Sequence, residues 1–375
     1  TFYQIYPRSF YDFNGDGVGD DLNGDGISGD LSGDIGSDLD GDGFLDDFNK
    51  DGIGDDFNGD GLLGDLTGRQ GMENYLGLGA PLAIGAMEMT VAKVTASESG
   101  RIFLRFKSDG AYTGHGWLPA VEYQGALLDD VYGMNYLTGK ALENAGYLQQ
   151  TMTIKSIYNN MYVLPYYLDA SEYVYNIQTG DAYNVGVAEK TSYSMRYYMY
   201  SHDKSSEKIS ASWLPEEYKQ IEKDYFEFVK TNYLDVPDST RAYIDTIIAE
   251  QGWTKDTYLV ASKVAKYVQN AAEYSLSYNR AMDKEEDIVV AFLKDYKKGI
   301  CQHYAAAATL IYRALGIPAR YTEGYVVETV ANQEVDVKVK HGHAWTEIYV
   351  EGVGWIAMEV TGGSSVGGNG MSNST

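Results

Sequence analysis

The chain has 375 residues, with 54 Asp and Glu against 29 Lys and Arg, a formal net charge of −25 and a single cysteine. That charge argues against nucleic acid and anionic membrane surfaces as partners, and one cysteine excludes an internal disulfide framework. Apolar stretches such as Ala80 to Met87 are interrupted by Pro81 and Gly85, short of the roughly 18 residues that a membrane span needs.

This length supports two or three domains with a sizeable core. Four segments are expected: an Asp/Gly-rich repeat over 1–68, a β-rich, sandwich-like module over 69–210, a mixed α+β catalytic domain over 211–362, and a Gly/Ser/Asn tail over 363–375. The chain opens Thr1-Phe2-Tyr3 without an initiator Met, a basic n-region or a signal-like apolar segment, so it reads as a mature or excised fragment. Thirty-four Tyr against one Cys is compatible with an exported bacterial protein that does not use disulfides.

Residues 1–68 carry 17 Asp, no Glu and only Arg8 and Lys50 as bases. Phe2-Tyr3-Gln4-Ile5-Tyr6-Pro7-Arg8-Ser9-Phe10, followed by Asp12 to Asp20, looks locally like the opening strand and calcium loop of α-amylase-family glycosidases. Nothing later in the chain supplies that family's barrel strands or acid motifs. From Asn14 a unit of about nine residues repeats, with apolar pairs four apart such as Val18 and Leu22, Phe44 and Phe48, and Ile53 and Phe57. A fixed short period means one structural unit per repeat.

Five frames within this repeat follow Asp-x-(Asn/Asp)-x-Asp-Gly: Asp12-Asn14-Asp16, Asp21-Asn23-Asp25, Asp38-Asp40-Asp42, Asp47-Asn49-Asp51 and Asp56-Asn58-Asp60, with Asp20, Asp46 and Asp55 beside them. Hard oxygen ligands at positions 1, 3 and 5, with Gly at 6 for the turn, are how a calcium loop is built. Position 12 is never Glu, and no helix-length segments flank the loops. These are therefore not EF-hands; they resemble the stacked calcium repeats of thrombospondin type 3. Ligand sets without a bidentate Glu imply affinity on the order of 10⁻⁴ to 10⁻³ M. The alternative is a solvated acidic linker whose repulsion and backbone entropy prevent folding.

Beyond residue 72, alternating stretches such as Met89 to Val94 and Arg101 to Lys107 predict strands. The aromatic clusters Tyr166-Tyr167 and Tyr197-Tyr198-Met199-Tyr200 suit buried sheet packing better than a ligand groove. Helical spacing then takes over, at Pro215 to about Lys230, Asp238 to Gln251, Thr254 to Tyr274 and Asp283 to Lys297, the last opened by a capping box of Asp283 and Glu286.

Cys301 follows in Gly299-Ile300-Cys301-Gln302-His303-Tyr304, at the start of an Ala-rich helix stopped by Gly316 and Pro318. A helix N-terminus is worth roughly 0.3–1 kcal/mol to a nearby anion. Alone that is too little to hold a thiolate at neutral pH, so a cationic partner is required. Two expected strands supply candidates: His341-Gly342-His343-Ala344-Trp345-Thr346-Glu347, and Gly354-Trp355-Ile356-Ala357-Met358-Glu359-Val360-Thr361. A Cys at a helix start, a His on one strand and a carboxylate on its neighbour are the nucleophile, base and orienting group of thiol acyl transfer.

GICQHYAAAATLIYRALGIPARYTEGYVV, followed by GHAWTEIYVEGVGWIAMEVT, resembles the core of the transglutaminase-like superfamily, whose fold is similar to that of papain-type cysteine proteases. The resemblance is strong from about residue 285. More loosely, Arg101 to Arg105, Tyr112 to Trp117 and Tyr162 to Tyr167 look like the β-rich region ahead of the core in large extracellular bacterial members. It implies Cys301 as nucleophile, His343 as general base and Glu359 as its orienting acid, where most relatives have Asp.

His341 remains a rival base on the same strand face, Glu347 and Glu323 are rival acids, and His303, two residues along the helix from Cys301, is expected to have a surface or packing role. A zinc site of Cys301, His341 and His343 would lack paired-cysteine spacing. The implied function is an extracellular, calcium-stabilised thiol enzyme acting on protein or peptide amides, either a cysteine protease or amidase or a protein-glutamine transglutaminase, with no cofactor for catalysis. A catalytically inactive cell-surface binding module of the same fold is the alternative.

Overall fold

The computed structural model describes residues 88–119, 134–157, 163–169, 192–200, 211–254 and 257–362. The Asp/Gly repeats with their candidate calcium ligands, the amylase-like opening and the C-terminal tail lie outside the described residues.

Period-two alternation produces the strands. β1 (Thr90–Ala96) and β2 (Gly100–Tyr112) are followed by β3 (Trp117–Pro119), β4 (Gln149–Ser156), β5 (Leu164–Pro165) and β6 (Ser192–Tyr198). Downstream come β7 (Glu273–Tyr274), β8 (Lys298–Gly299), β9 (Ala319–Thr329), β10 (Glu334–Lys338), β11 (Gly342–Val350) and β12 (Gly354–Met358). One antiparallel sheet runs β12-β11-β9-β2-β3 with β5 paired to β2, and a second runs β10-β1-β4-β6.

The larger sheet crosses the boundary expected near residue 211. β2 pairs along β9 from Gly100 opposite Thr329 to Asp109 opposite Tyr321, and β11 pairs β9 on its other edge. A strand from the N-terminal half is thus hydrogen-bonded into the middle of the core sheet. The smaller sheet repeats the pattern, because β10 from the C-terminal half pairs β1.

The helices are α1 (Met134–Asn144), α2 (Lys219–Asn232), α3 (Asp238–Gln251), α4 (Thr257–Ala271), α5 (Ile288–Ala291) and α6 (Cys301–Ala314). The helix read from Asp283 to Lys297 is in fact broken into a 3₁₀ turn over Arg280–Lys284, the short α5, and a π turn over Phe292–Tyr296. Asp283 and Glu286 do not cap it. Asp287 does, its carboxylate accepting from Val290 N at 3.0 Å. Asp283 instead accepts from the buried Tyr278 hydroxyl, and Lys297 leaves the π turn at φ 47°. A π turn is a common distortion beside functional sites.

Every residue of α6 is buried. Its run Ala305 to Ala308 lets the sheet approach closely. Thr346 of β11 donates to Ala305 O at 3.0 Å and lies 3.1 Å from the Thr309 hydroxyl. The helix stops where Gly316 takes φ 77°, a left-handed conformation that a side chain disfavours. Trp345 and Trp355 are fully buried on the sheet, and truncating either to Ala would cost about 3–5 kcal/mol.

Candidate active site

Cys301 is the first residue of α6 and is 3 % exposed. Its approach is shaped by a tight connection: β8 ends at Gly299, where a Cβ would lie 2.8 Å from the His303 ring and 2.9 Å from Phe292. His303, fully buried, turns back so that its Nδ1 accepts from Ile300 N at 3.1 Å. This satisfies a backbone donor at the helix start. His303 therefore has the packing role, and the surface role is excluded by its burial.

His343, near the start of β11 and 3 % exposed, lies within electrostatic reach of the Cys301 side chain. Its Nε2 lies 3.0 Å from Glu359 Oε2 and 3.2 Å from Oε1. With Nε2 taken by the carboxylate, Nδ1 is the ring nitrogen left for the sulfur. The ring is packed against Trp345 at 6.2 Å and Phe103 of β2 at 6.3 Å between centroids.

Glu359 stands one residue beyond β12, which ends at Met358. Its backbone carbonyl accepts from Gln269 Nε2 of α4 at 3.0 Å, and its Oε1 accepts from Thr361 N at 2.9 Å. Arg101 Nη2, from the start of β2, donates to Oε2 at 2.7 Å. The three expected triad residues are therefore brought together, with the Glu359 carboxylate reaching His343 from just beyond the end of β12.

The electrostatics follow from these contacts. Burial opposes protonation of His343, but the Glu359 carboxylate and the Cys301 side chain outweigh it and push the imidazole up to about 10. Burial likewise opposes ionisation of Glu359, yet His343, Arg101 and the Thr361 amide hold the carboxyl down at about 2. Both shifts favour the same charge pair, a protonated imidazole beside an ionised Glu359.

The rival groups are committed elsewhere. His341 is not on the strand: it closes a 3₁₀ turn over Val339–His341, accepting from Lys338 N through Nδ1 at 3.1 Å. Glu347 is fully buried with Arg320 and Arg105. Glu323 accepts from Tyr321 OH at 2.7 Å and faces Lys107 Nζ at 3.6 Å. Among the described residues, no group of three or more His, Cys, Asp and Glu is arranged to hold a metal, so Cys301, His341 and His343 form no such cluster.

Sequence reading missed Arg101, whose contact with Glu359 spans 258 positions; the only signal was the alternation Arg101-Phe103-Arg105. It also missed Tyr274 of β7, which pairs opposite Gly299 of β8. Its side chain is 38 % exposed, yet the desolvation of its hydroxyl, and then the nearby Cys301, Tyr304 and Glu359, raise that hydroxyl's pKa. Tyr166, Tyr167, Tyr197 and Tyr198 are buried as expected, and several also line a cavity of about 370 Å³ whose wall includes Arg101, Phe103 and Glu359.

Residues 245–360 match the model of the transglutaminase-like superfamily, so this part of the chain is a transglutaminase-like core, with helices packed on an antiparallel sheet. Over 139 residues, 35% of this chain, it is 29% identical to the uncharacterized protein YebA of Bacillus subtilis. Over 123 residues, 32% of this chain, it is 31% identical to a protein-glutamine gamma-glutamyltransferase of Pseudomonas aeruginosa. The matched regions span 19% and 18% of those two proteins' lengths. Among solved structures, the periplasmic domain of TgpA from Pseudomonas aeruginosa aligns over 73% of this chain and 88% of its own, at 16% identity and a TM-score of 0.45.

Proposed function

We propose that the chain is a thiol acyl-transfer enzyme acting on protein or peptide amides, in which Cys301 is the nucleophile, His343 the acid and base, and Glu359 the group that orients His343. The observation that carries this reading is a buried imidazole held at 3.0 Å by the Glu359 carboxylate and facing Cys301, with the sulfur at a helix N-terminus. The match of residues 245–360 to the transglutaminase-like superfamily supports it.

In this mechanism Cys301 Sγ attacks the amide carbonyl carbon, and the new oxyanion is held in part by the Cys301 backbone N–H. His343 delivers its proton to the departing nitrogen as the C–N bond breaks, leaving a thioester. A second nucleophile then gives a proton back to His343 and attacks the thioester carbonyl, and the C–S bond breaks. With water the product is an acid and the enzyme is a protease or amidase; with a lysine amine it is a crosslink. Glu359 takes no proton, and its charge keeps the ring protonated and in plane.

The 31% identity to a protein-glutamine gamma-glutamyltransferase over a third of the chain favours glutamine side chains as acyl donors. The deciding experiment is mass spectrometry of products from a glutamine-containing peptide incubated with a primary amine. Amine incorporation marks a transglutaminase, deamidation or cleavage marks a hydrolase, and either must vanish in Cys301→Ala.

A second reading, an inactive binding module, draws on the burial of Cys301 and His343, each 3 % exposed. It requires that neither product form. We extend the proposal to location and metal: an extracellular or cell-surface bacterial protein whose residues 12–60 hold structural calcium.

A further inference from the structure

We infer that Arg101 is a positioning residue of the active site, a fourth member that locks the carboxylate of Glu359 against His343. The inference rests on the triad reading above, but its test uses the thiol itself and no turnover.

The geometry is a closed ring of four side chains. Arg101 Nη2 binds Glu359 Oε2 at 2.7 Å. Glu359 binds His343 Nε2 at 3.0 Å. The His343 ring packs against Phe103 at 6.3 Å between centroids, and the Arg101 guanidinium lies 5.3 Å from the Phe103 ring centre. Arg101 and Phe103 are two residues apart on β2, hence on one face of the strand. β2 itself is held along β9, the neighbour of the strand that carries His343. The anchor is therefore sheet backbone rather than a loop.

Glutamate needs such an anchor. Its carboxylate ends one more rotatable bond from the backbone than an aspartate's, and each side of it faces the imidazole. Thr361 N holds Oε1 at 2.9 Å and Arg101 holds Oε2. Two fixed donors, one per oxygen, define the carboxylate plane in which His343 is aligned. With Thr361 alone, rotation about the last bond is free to swing Oε2 toward the adjacent cavity of about 370 Å³. A charge-assisted contact of this length is among the stronger hydrogen bonds available to a side chain. The charged and titratable groups that face Glu359 and His343 are Arg101, Cys301 and Tyr274.

The test is the rate of Cys301 alkylation by iodoacetamide as a function of pH, in the wild type, Arg101→Gln, Arg101→Lys, Glu359→Gln and the double variant Arg101→Gln/Glu359→Gln. Arg101→Gln is expected to slow alkylation at neutral pH roughly tenfold. It should also move the acid limb of the profile to higher pH, because losing the guanidinium lets Glu359 take a proton more easily. Arg101→Lys, which keeps the charge, should restore most of the rate. In the Glu359→Gln background, Arg101→Gln should change little further. Unchanged rate and profile in a folded Arg101→Gln protein would overturn the inference. So would an effect of the same size in the absence of the Glu359 carboxylate. If Arg101→Gln does not fold, Arg101→Met takes its place under the same criteria: a slowed, shifted profile supports the role, and a wild-type profile overturns it. Absence of acyl transfer by the wild type would sink the proposed function and leave this comparison readable.

Discussion

Arg320 grips Glu347 through two nitrogens, Nε at 3.0 Å and Nη2 at 2.7 Å from the same carboxylate oxygen, with neither residue more than 1 % exposed. Arg105 Nε lies 3.3 Å from the other oxygen, which also accepts from the Tyr166 hydroxyl. Glu347 is four residues past His343 and of the same strand parity, yet it orients arginines and not the imidazole. The two acids thus have separate work: Glu347 neutralises buried cations and Glu359 serves the site.

Glu347→Gln should therefore destabilise the fold by about 3–5 kcal/mol, because it removes the carboxylate that neutralises two buried guanidinium groups. Denaturant unfolding measures this. A protein of wild-type stability would mean that Arg105 and Arg320 find other partners.

Glu359→Gln should lower acyl transfer by at least a hundredfold in protein that still folds, since the neutral amide no longer holds the imidazolium, and it should also lower stability at neutral pH because Arg101 and His343 lose their carboxylate partner. Glu359→Asp should keep part of the activity. Full activity in the Gln variant would remove Glu359 from the mechanism.

The His343 imidazole has its pKa raised in the folded state, so its contribution to stability is complete below the unfolded value near 6.5 and lost as pH rises toward about 10. The stability gap between wild type and His343→Gln should accordingly narrow across that window. The same titration predicts fast iodoacetamide labelling of Cys301 at neutral pH and slower labelling in His343→Ala. A gap that does not change with pH would show that the imidazole is neutral in the native protein.

Glu323 is fully buried, and burial, helped by Asp109 and opposed by Lys107, raises its carboxyl from 4.5 to about 7. The native protein thus binds a proton that the unfolded chain has released, and stability falls as pH rises from about 4.5 to 7. Glu323→Gln should flatten that slope, as measured by urea midpoints at a series of pH values. An unchanged slope would assign the pH dependence to other groups.

For the N-terminal repeats, calcium is expected to contract the full chain, because neighbouring Asp side chains repel by about 1 kcal/mol per pair even in water and divalent ions remove that repulsion. Hydrodynamic radius with calcium and with chelator tests this, and Cys301 labelling should be the same in both. Equal radii would make the segment a plain acidic linker.

Local chemistry is what the sequence by itself determined. A lone Cys between Gly299 and an alanine run, a helix stop at Gly316, His343 on an alternating strand and an acid after Trp355 are short-range patterns, and each is legible because helix caps and strand periods act over a few residues. Even there, the segment from Asp283 to Lys297 defeated the pattern, since its apolar spacing does not reveal that the helix ends in a π turn at Phe292 to Tyr296. Only the tertiary structure decided which carboxylate meets which cation. Glu359, Glu347 and Glu323 are equivalent in composition; sheet register and the reach of Arg101, Arg320 and Lys107 separate them. The same holds for β2, whose own residues predict a strand and say nothing of its partner. Its pairing with β9, more than 200 residues away, is set by long-range backbone hydrogen bonding and burial that no local window contains.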